Sequence, residues 1–166
     1  MALWHVSFLL LPKSAVAEFD EVPEKTFLAY VDEDGGIPQQ FTLPADYAAR
    51  LSALLPRKES WAPELEIWGH EHSDDVQIWR QAGRVSSIGV RVDVRKLDDA
   101  LLGRFLALAD DWSCVLVERR YRKVCRMNVL ELRALIAGHP HRRAMSDPAA
   151  WLPVLADEVR KKDREV

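Results

Sequence analysis

At 166 residues, 48% hydrophobic and 30% charged, the chain has the size and balance of one globular domain and not of a disordered segment. A net charge of −3 and a pI near 6.0 exclude the global basic field that draws nucleic acid. The apolar run 3–11 is short, is interrupted by His5 and Ser7, and lacks a basic start and a cleavage site, so it reads as a buried strand and not as an export signal or a membrane span.

Taken in order, residues 3–11 form a first strand ended by Pro12, and the charged stretch 13–25, with Pro23, reads as an irregular connection. FLAYV (27–31) has the composition of a second strand, and Asp32–Pro38, with its paired glycines, that of a loop. Leu43–Pro44 opens a helix with Tyr47, Leu51, Leu54 and Leu55 as its apolar stripe and Pro56 as its stop.

Three strands follow at 64–69, 75–80 and 85–94. QAGR (81–84) supplies the second turn, where Gly83 is free to take positive φ. From Ile88 onward the alternation of apolar and polar residues is strict, the mark of a strand with one solvated face. Leu97, Leu101, Phe105, Leu108 and Trp112 then repeat at helical spacing, with Asp98 and Asp99 favourably placed in the first turn.

CVLVE (114–118) is a buried strand, Arg119–Tyr121 a turn, and Lys123–Met127 a short edge strand. Asn128 and Glu131 have capping-box spacing at the start of a helix that Gly138 stops. Asp147–Pro148 opens a last helical region that Pro153 interrupts, and 159–166 reads as a frayed charged tail. Strands and helices do not alternate. We therefore expect a single α+β domain over 1–166, with a mostly antiparallel sheet, a central three-strand meander and helices packed mainly on one face.

Chemistry-capable side chains crowd in GHEHSDD (69–75). His70 and His72, two residues apart in extended chain, have the spacing of a pair of metal ligands; Asp74 or Asp75 would add a carboxylate and Glu71 a general base. The competing reading is a polar hairpin turn whose Ser73 and Asp74 satisfy backbone donors. His139 and His141 join the first pair only if the fold brings the two loops together, and otherwise end a helix. RRYRK (119–123) offers an anion or nucleic-acid patch with an aromatic to stack a base, but better suits a charged turn and edge strand that resists unwanted pairing. No nucleophile elbow, Walker-type loop or dinucleotide fingerprint is present. Cys114 and Cys125 lie on strands expected to be neighbours, where a disulfide is geometrically open; in a reducing cytosol they act as buried thiols. Six tryptophans anchor the core and its rim, and an exposed one would mark a binding face.

The stretch W-G-H-E-H-S-D-D-V-Q-I-W, followed by G-R-V-S-S-I-G-V-R-V-D-V-R, resembles a group of small bacterial proteins without an assigned activity, as do Cys114–Val117 and the closing S-D-P-A-A-W-L. The likeness covers residues 61–155. Some members resemble the immunity partners of secreted bacterial toxins, which implies a standalone cytosolic domain and brings no catalytic residues with it.

The expectation is a non-enzymatic cytoplasmic binding protein of the immunity type, without a cofactor, whose partner is another protein such as a cognate toxin. Trp68, His70, Glu71, His72, Asp74, Asp75 and Trp79 would form the contact surface, the carboxylates clamping a basic groove and the tryptophans giving rigid area. The alternatives are a metal-dependent hydrolase built on His70 and His72, and a homodimer formed on an exposed strand or aromatic patch.

Overall fold

The structure, a computed structural model, describes residues 4–16, 18–30, 42–126 and 128–162. Its centre is a seven-stranded antiparallel sheet. The strands in chain order are β1 (His5–Pro12), β2 (Arg57–Lys58), β3 (Leu65–Gly69), β4 (Asp75–Gln81), β5 (Arg84–Asp93), β6 (Cys114–Glu118) and β7 (Val124–Cys125), and they lie side by side as β2-β3-β4-β5-β1-β6-β7. The helices are α1 (Lys13–Val16), α2 (Glu24–Tyr30), α3 (Tyr47–Leu54), α4 (Asp99–Asp111), α5 (Val129–Gly138), α6 (Pro140–Ser146) and α7 (Pro148–Lys162). The expected α+β class, antiparallel sheet and β3–β5 meander are all present.

Alternation sorts the sheet into two faces. Val6, Phe8, Leu10, Trp68, Val76, Ile78, Ile88, Val90 and Val92 point to one side, where Leu51 of α3, Leu102, Phe105 and Leu106 of α4 and Leu132 and Ile136 of α5 close the main core. Each fully buried large side chain there contributes about 1.5–3 kcal/mol. On the other face, Leu9, Leu11, Val115, Val117 and Val124 pack against Val16, Val22 and Phe27. Helices α3, α4 and α5 thus share one face, while α1 and α2 cover part of the other.

The β4–β5 hairpin closes on Gln81 and Arg84, with Ala82 at φ 49° and Gly83 at φ 77°. Two successive positive φ angles give the turn whose twist matches that of the strands. The register shifts at Trp79/Arg80, where Arg80 faces Val85 and Trp79 faces Ser87, so Ser86 is an extra residue on β5. Val85 and Ile88 both reach the main core across this bulge. That is why strict alternation begins only at Ile88.

The first third departs from expectation. FLAYV is helical through Tyr30, and Val31 lies outside the described residues. Phe27 is buried and its neighbour Leu28 exposed, one-sided burial that suits α2; Phe27 and Tyr30, three apart, both pack on the second core. Pro23 precedes the first turn, its carbonyl accepting the Phe27 amide at 2.8 Å, and Glu24 sits at the positive end. The connection 13–25 is more ordered than predicted. It holds α1 and then runs along the outer edge of β7, with Val22 N–H donating to Arg122 O and Val124 N–H to Asp20 O. The expected loop 32–38 is outside the described residues.

Later differences are smaller. Helix α3 starts at Tyr47, because Pro44 sits in a turn that accepts the Tyr47 amide. Asn128 caps α5 through Leu130 N–H, half of the expected capping box. GHPHRR does end α5, but Pro140 also opens α6, which the sequence reading missed. Helix α7 continues through Pro153 to Lys162, and 163–166 are outside the described residues. No helix among the described residues is long and apolar enough to cross a membrane.

Candidate functional site

The antiparallel register brings the β3–β4 turn, the start of β1 and the ends of β5 and β6 to one end of the sheet. The turn is tight. His70 N–H donates to Asp74 O at 3.2 Å, Ser73 N–H to His70 O at 2.8 Å, and His72 N–H to His70 Nδ1 at 3.1 Å. Gly69 enters it at φ 97°, and a Cβ there would lie 2.3 Å from Asp74 O, so only glycine fits.

Most of the expected acidic tip is turned inward. Asp75 is 0% exposed, and its carboxylate is forked by Arg91, with Nε at 2.8 and 3.1 Å and a shorter contact from Nη2. Their backbones face each other across β4 and β5, which holds the pair in register. Asp74 is half-buried and accepts the Asp93 amide at 2.9 Å; burial pushes its carboxyl above the usual range. Asp93 is held below it, because the Arg95 side-chain and backbone bonds outweigh the opposing effect of burial. Trp68, expected at the surface, is fully buried under α3 with its indole N–H on Ser52 Oγ. Neither Asp75 nor Trp68 is available to a partner. Glu71, His70 and His72 remain exposed, with Glu71 3.5 Å from Lys58 Nζ.

All five histidines gather at this end, though at no common centre. The His70 and His72 rings lie 5.3 Å apart, and Trp4 separates His72 from His5. His5 donates from Nε2 to Ser73 O at 2.9 Å, and its own carbonyl accepts from His141 Nδ1 at 2.7 Å. His141 Nε2 faces Arg120 Nη1 at 3.4 Å and so is the acceptor. His139 Nδ1 accepts the His141 amide, which leaves its Nε2 toward Glu118, a buried carboxylate that also accepts the Arg120 and Tyr121 amides at 2.8 and 2.6 Å. Burial holds His5 and His141 below the ordinary histidine range. The two histidine loops do meet, through His5. Yet among the described residues no three metal-ligating side chains converge.

Around the corner from this tip, on the face opposite α3 and α4, lies a cleft of about 510 Å³. Ile67 and Gln77 form its floor beside Arg91, and Lys58, Glu59 and Glu71 line its walls. Trp61 overhangs it. Ser60 makes a local turn with Ala62, Oγ to O at 2.9 Å, and this presents the indole 70% exposed. Trp61 meets Trp79 edge to face at 5.4 Å between centroids. Trp79 belongs to the expected site; the sequence marks Trp61 only as one of six tryptophans. Its signal was position: an aromatic among Ser, Ala and Pro, outside any alternating run.

Both cysteines are free and buried, and burial pushes each thiol up to about 12, which does not suit a nucleophile at neutral pH. Their strands are neighbours as expected, but Cys125 faces Leu116. Comparison with protein-family models, with curated proteins and with solved structures found no match.

Proposed function

We propose that this chain is a non-enzymatic binding domain that captures another protein, of the immunity type in which a toxin is neutralised by occlusion of its active site. The observation that carries the reading is Trp61, a large aromatic held 70% exposed over a cleft and steadied by Trp79. Leaving such a side chain in water forgoes burial worth about 1.5–3 kcal/mol, and rigid exposed tryptophans of this kind dominate binding energy once covered. The contact surface is therefore drawn around Trp61, Trp79 and Glu71, with His70 and His72 on its rim. Asp74 and Asp75 shape the tip from within. Among the described residues the hydrolase alternative has only the His70–His72 pair to build on.

The test is affinity capture from the native host with the wild-type protein and Trp61→Ala, followed by identification of the captured protein and co-expression to measure relief of its toxicity. We expect one partner retained by the wild type and lost by Trp61→Ala at unchanged thermal midpoint. Equal retention by both proteins, or a captured protein whose activity is unaffected, overturns the reading.

A further inference from the structure

We propose that the Trp61–Trp79 cleft receives an arginine side chain of the partner, its guanidinium lying against Trp61 and hydrogen-bonded to Glu59. The inference rests on the protein-capture reading above and names what enters the cleft.

The charge balance of the cleft carries the argument. Its two cations are already engaged, Arg91 by the buried Asp75 carboxylate and Lys58 by Glu71 at 3.5 Å. An incoming anion would meet cations whose charge these carboxylates already offset. Glu59 is exposed and has no ion-pair partner among the described residues. With Arg91 neutralised by Asp75 and Lys58 by Glu71, the lining keeps one negative charge, on Glu59, two residues from the open Trp61 indole.

A single uncompensated carboxylate next to a tryptophan face is the complement of a cation, which the ring quadrupole attracts and the carboxylate bonds. A planar guanidinium satisfies both at once, stacking on the ring while its fork of N–H donors reaches an oxygen, which a compact ammonium does less well. Ile67 on the floor suits the apolar stem of such a side chain, and Gln77 offers its amide oxygen to the remaining donors.

The experiment titrates the full chain, labelled with 15N, with N-acetyl-arginine-N-methylamide and separately with the neutral citrulline counterpart, following the indole N–H signals of the six tryptophans. The Trp61 and Trp79 signals are assigned by Trp61→Ala and Trp79→Phe. We expect these two to shift saturably with the arginine compound and at least about fivefold more weakly with citrulline. Added salt should weaken the binding. Trp61→Ala should abolish it, and Glu59→Gln should reduce it about two- to fivefold, the range of an exposed ion pair. Equal binding of citrulline, shifts with a neutral hexose and not with arginine, or no shift at all would each overturn the proposal. Should the arginine compound fail while Trp61→Ala still abolishes partner capture, the cation assignment falls and the protein-binding reading stands.

Discussion

Replacing Asp75 by asparagine keeps the shape of the side chain and removes its charge, so Arg91 faces a neutral amide across β4 and β5. Breaking a buried pair from one side costs about 3–5 kcal/mol when the remaining charge is sealed from water. Arg91 is 26% exposed and regains some hydration, which places the expected loss nearer 2–3 kcal/mol. For a chain of this length that is a fall in melting temperature of about 5–10 °C. Arg91→Gln should cost more, toward about 3–5 kcal/mol, because the carboxylate left behind is fully buried. In the double variant Asp75→Asn/Arg91→Gln, two amides face each other and no charge is stranded. Chemical denaturation of the four proteins closes a double-mutant cycle, with an expected coupling of at least about 1.5 kcal/mol. Losses that add to within about 0.5 kcal/mol, or an Asp75→Asn protein as stable as wild type, would refute the assignment of Asp75 to the interior.

Two further outcomes follow from the same end of the sheet. Gly69→Ala sets a Cβ 2.3 Å from Asp74 O at a φ of 97°, so a loss above about 3 kcal/mol in urea unfolding is expected, and a change below about 1 kcal/mol would show that the turn yields. The lowered His5 and His141 groups make the unfolded chain the better proton binder just below pH 6.5. Stability is therefore full above that pH and declines as the pH falls toward their folded values, each histidine adding at most about 1.4 kcal/mol per pH unit. Asp74, raised by burial, acts in the opposite sense nearer its ordinary range. His141→Gln should flatten the slope between pH 6.5 and 5.5 by up to one proton, and an unchanged slope would mean that His141 is not the group responsible.

The meander was legible because β3, β4 and β5 are consecutive and amphipathic, and because Gly83 marks the turn between the last two. The Ser86 bulge left its own trace in the sequence, since Val85 and Ile88 are out of phase by one residue. FLAYV misled because aromatic and β-branched residues in a short run satisfy either period, and a helix of about two turns shows little periodicity. The candidate site was harder to read. Asp75, Glu71 and Asp74 are equivalent in a list of residues, yet one meets an arginine 16 positions away, one caps a backbone amide 19 positions away, and one stays in water. Which carboxylate goes where depends on cross-strand register, which no local pattern carries. Trp61 and Trp79 are likewise joined only after β2 and β3 set the loop between them above the sheet.

The strand order has a consequence for how the molecule assembles. β1 occupies the interior of the sheet, yet its two neighbours come much later in the chain: His5 pairs with Asp93 and Phe8 with Glu118. During synthesis the meander can close on itself within some thirty residues, while HVSFLLLP must wait for both partners before its main-chain groups are paired. Closing loops of that length adds to β1 insertion an entropic cost that the local meander does not carry. Until it occurs, β5 and β6 are each an open edge, and an apolar strand stands ready to pair with another copy of either. The hazard in this fold thus lies in the order of events on the ribosome, at the strand that holds the finished sheet together.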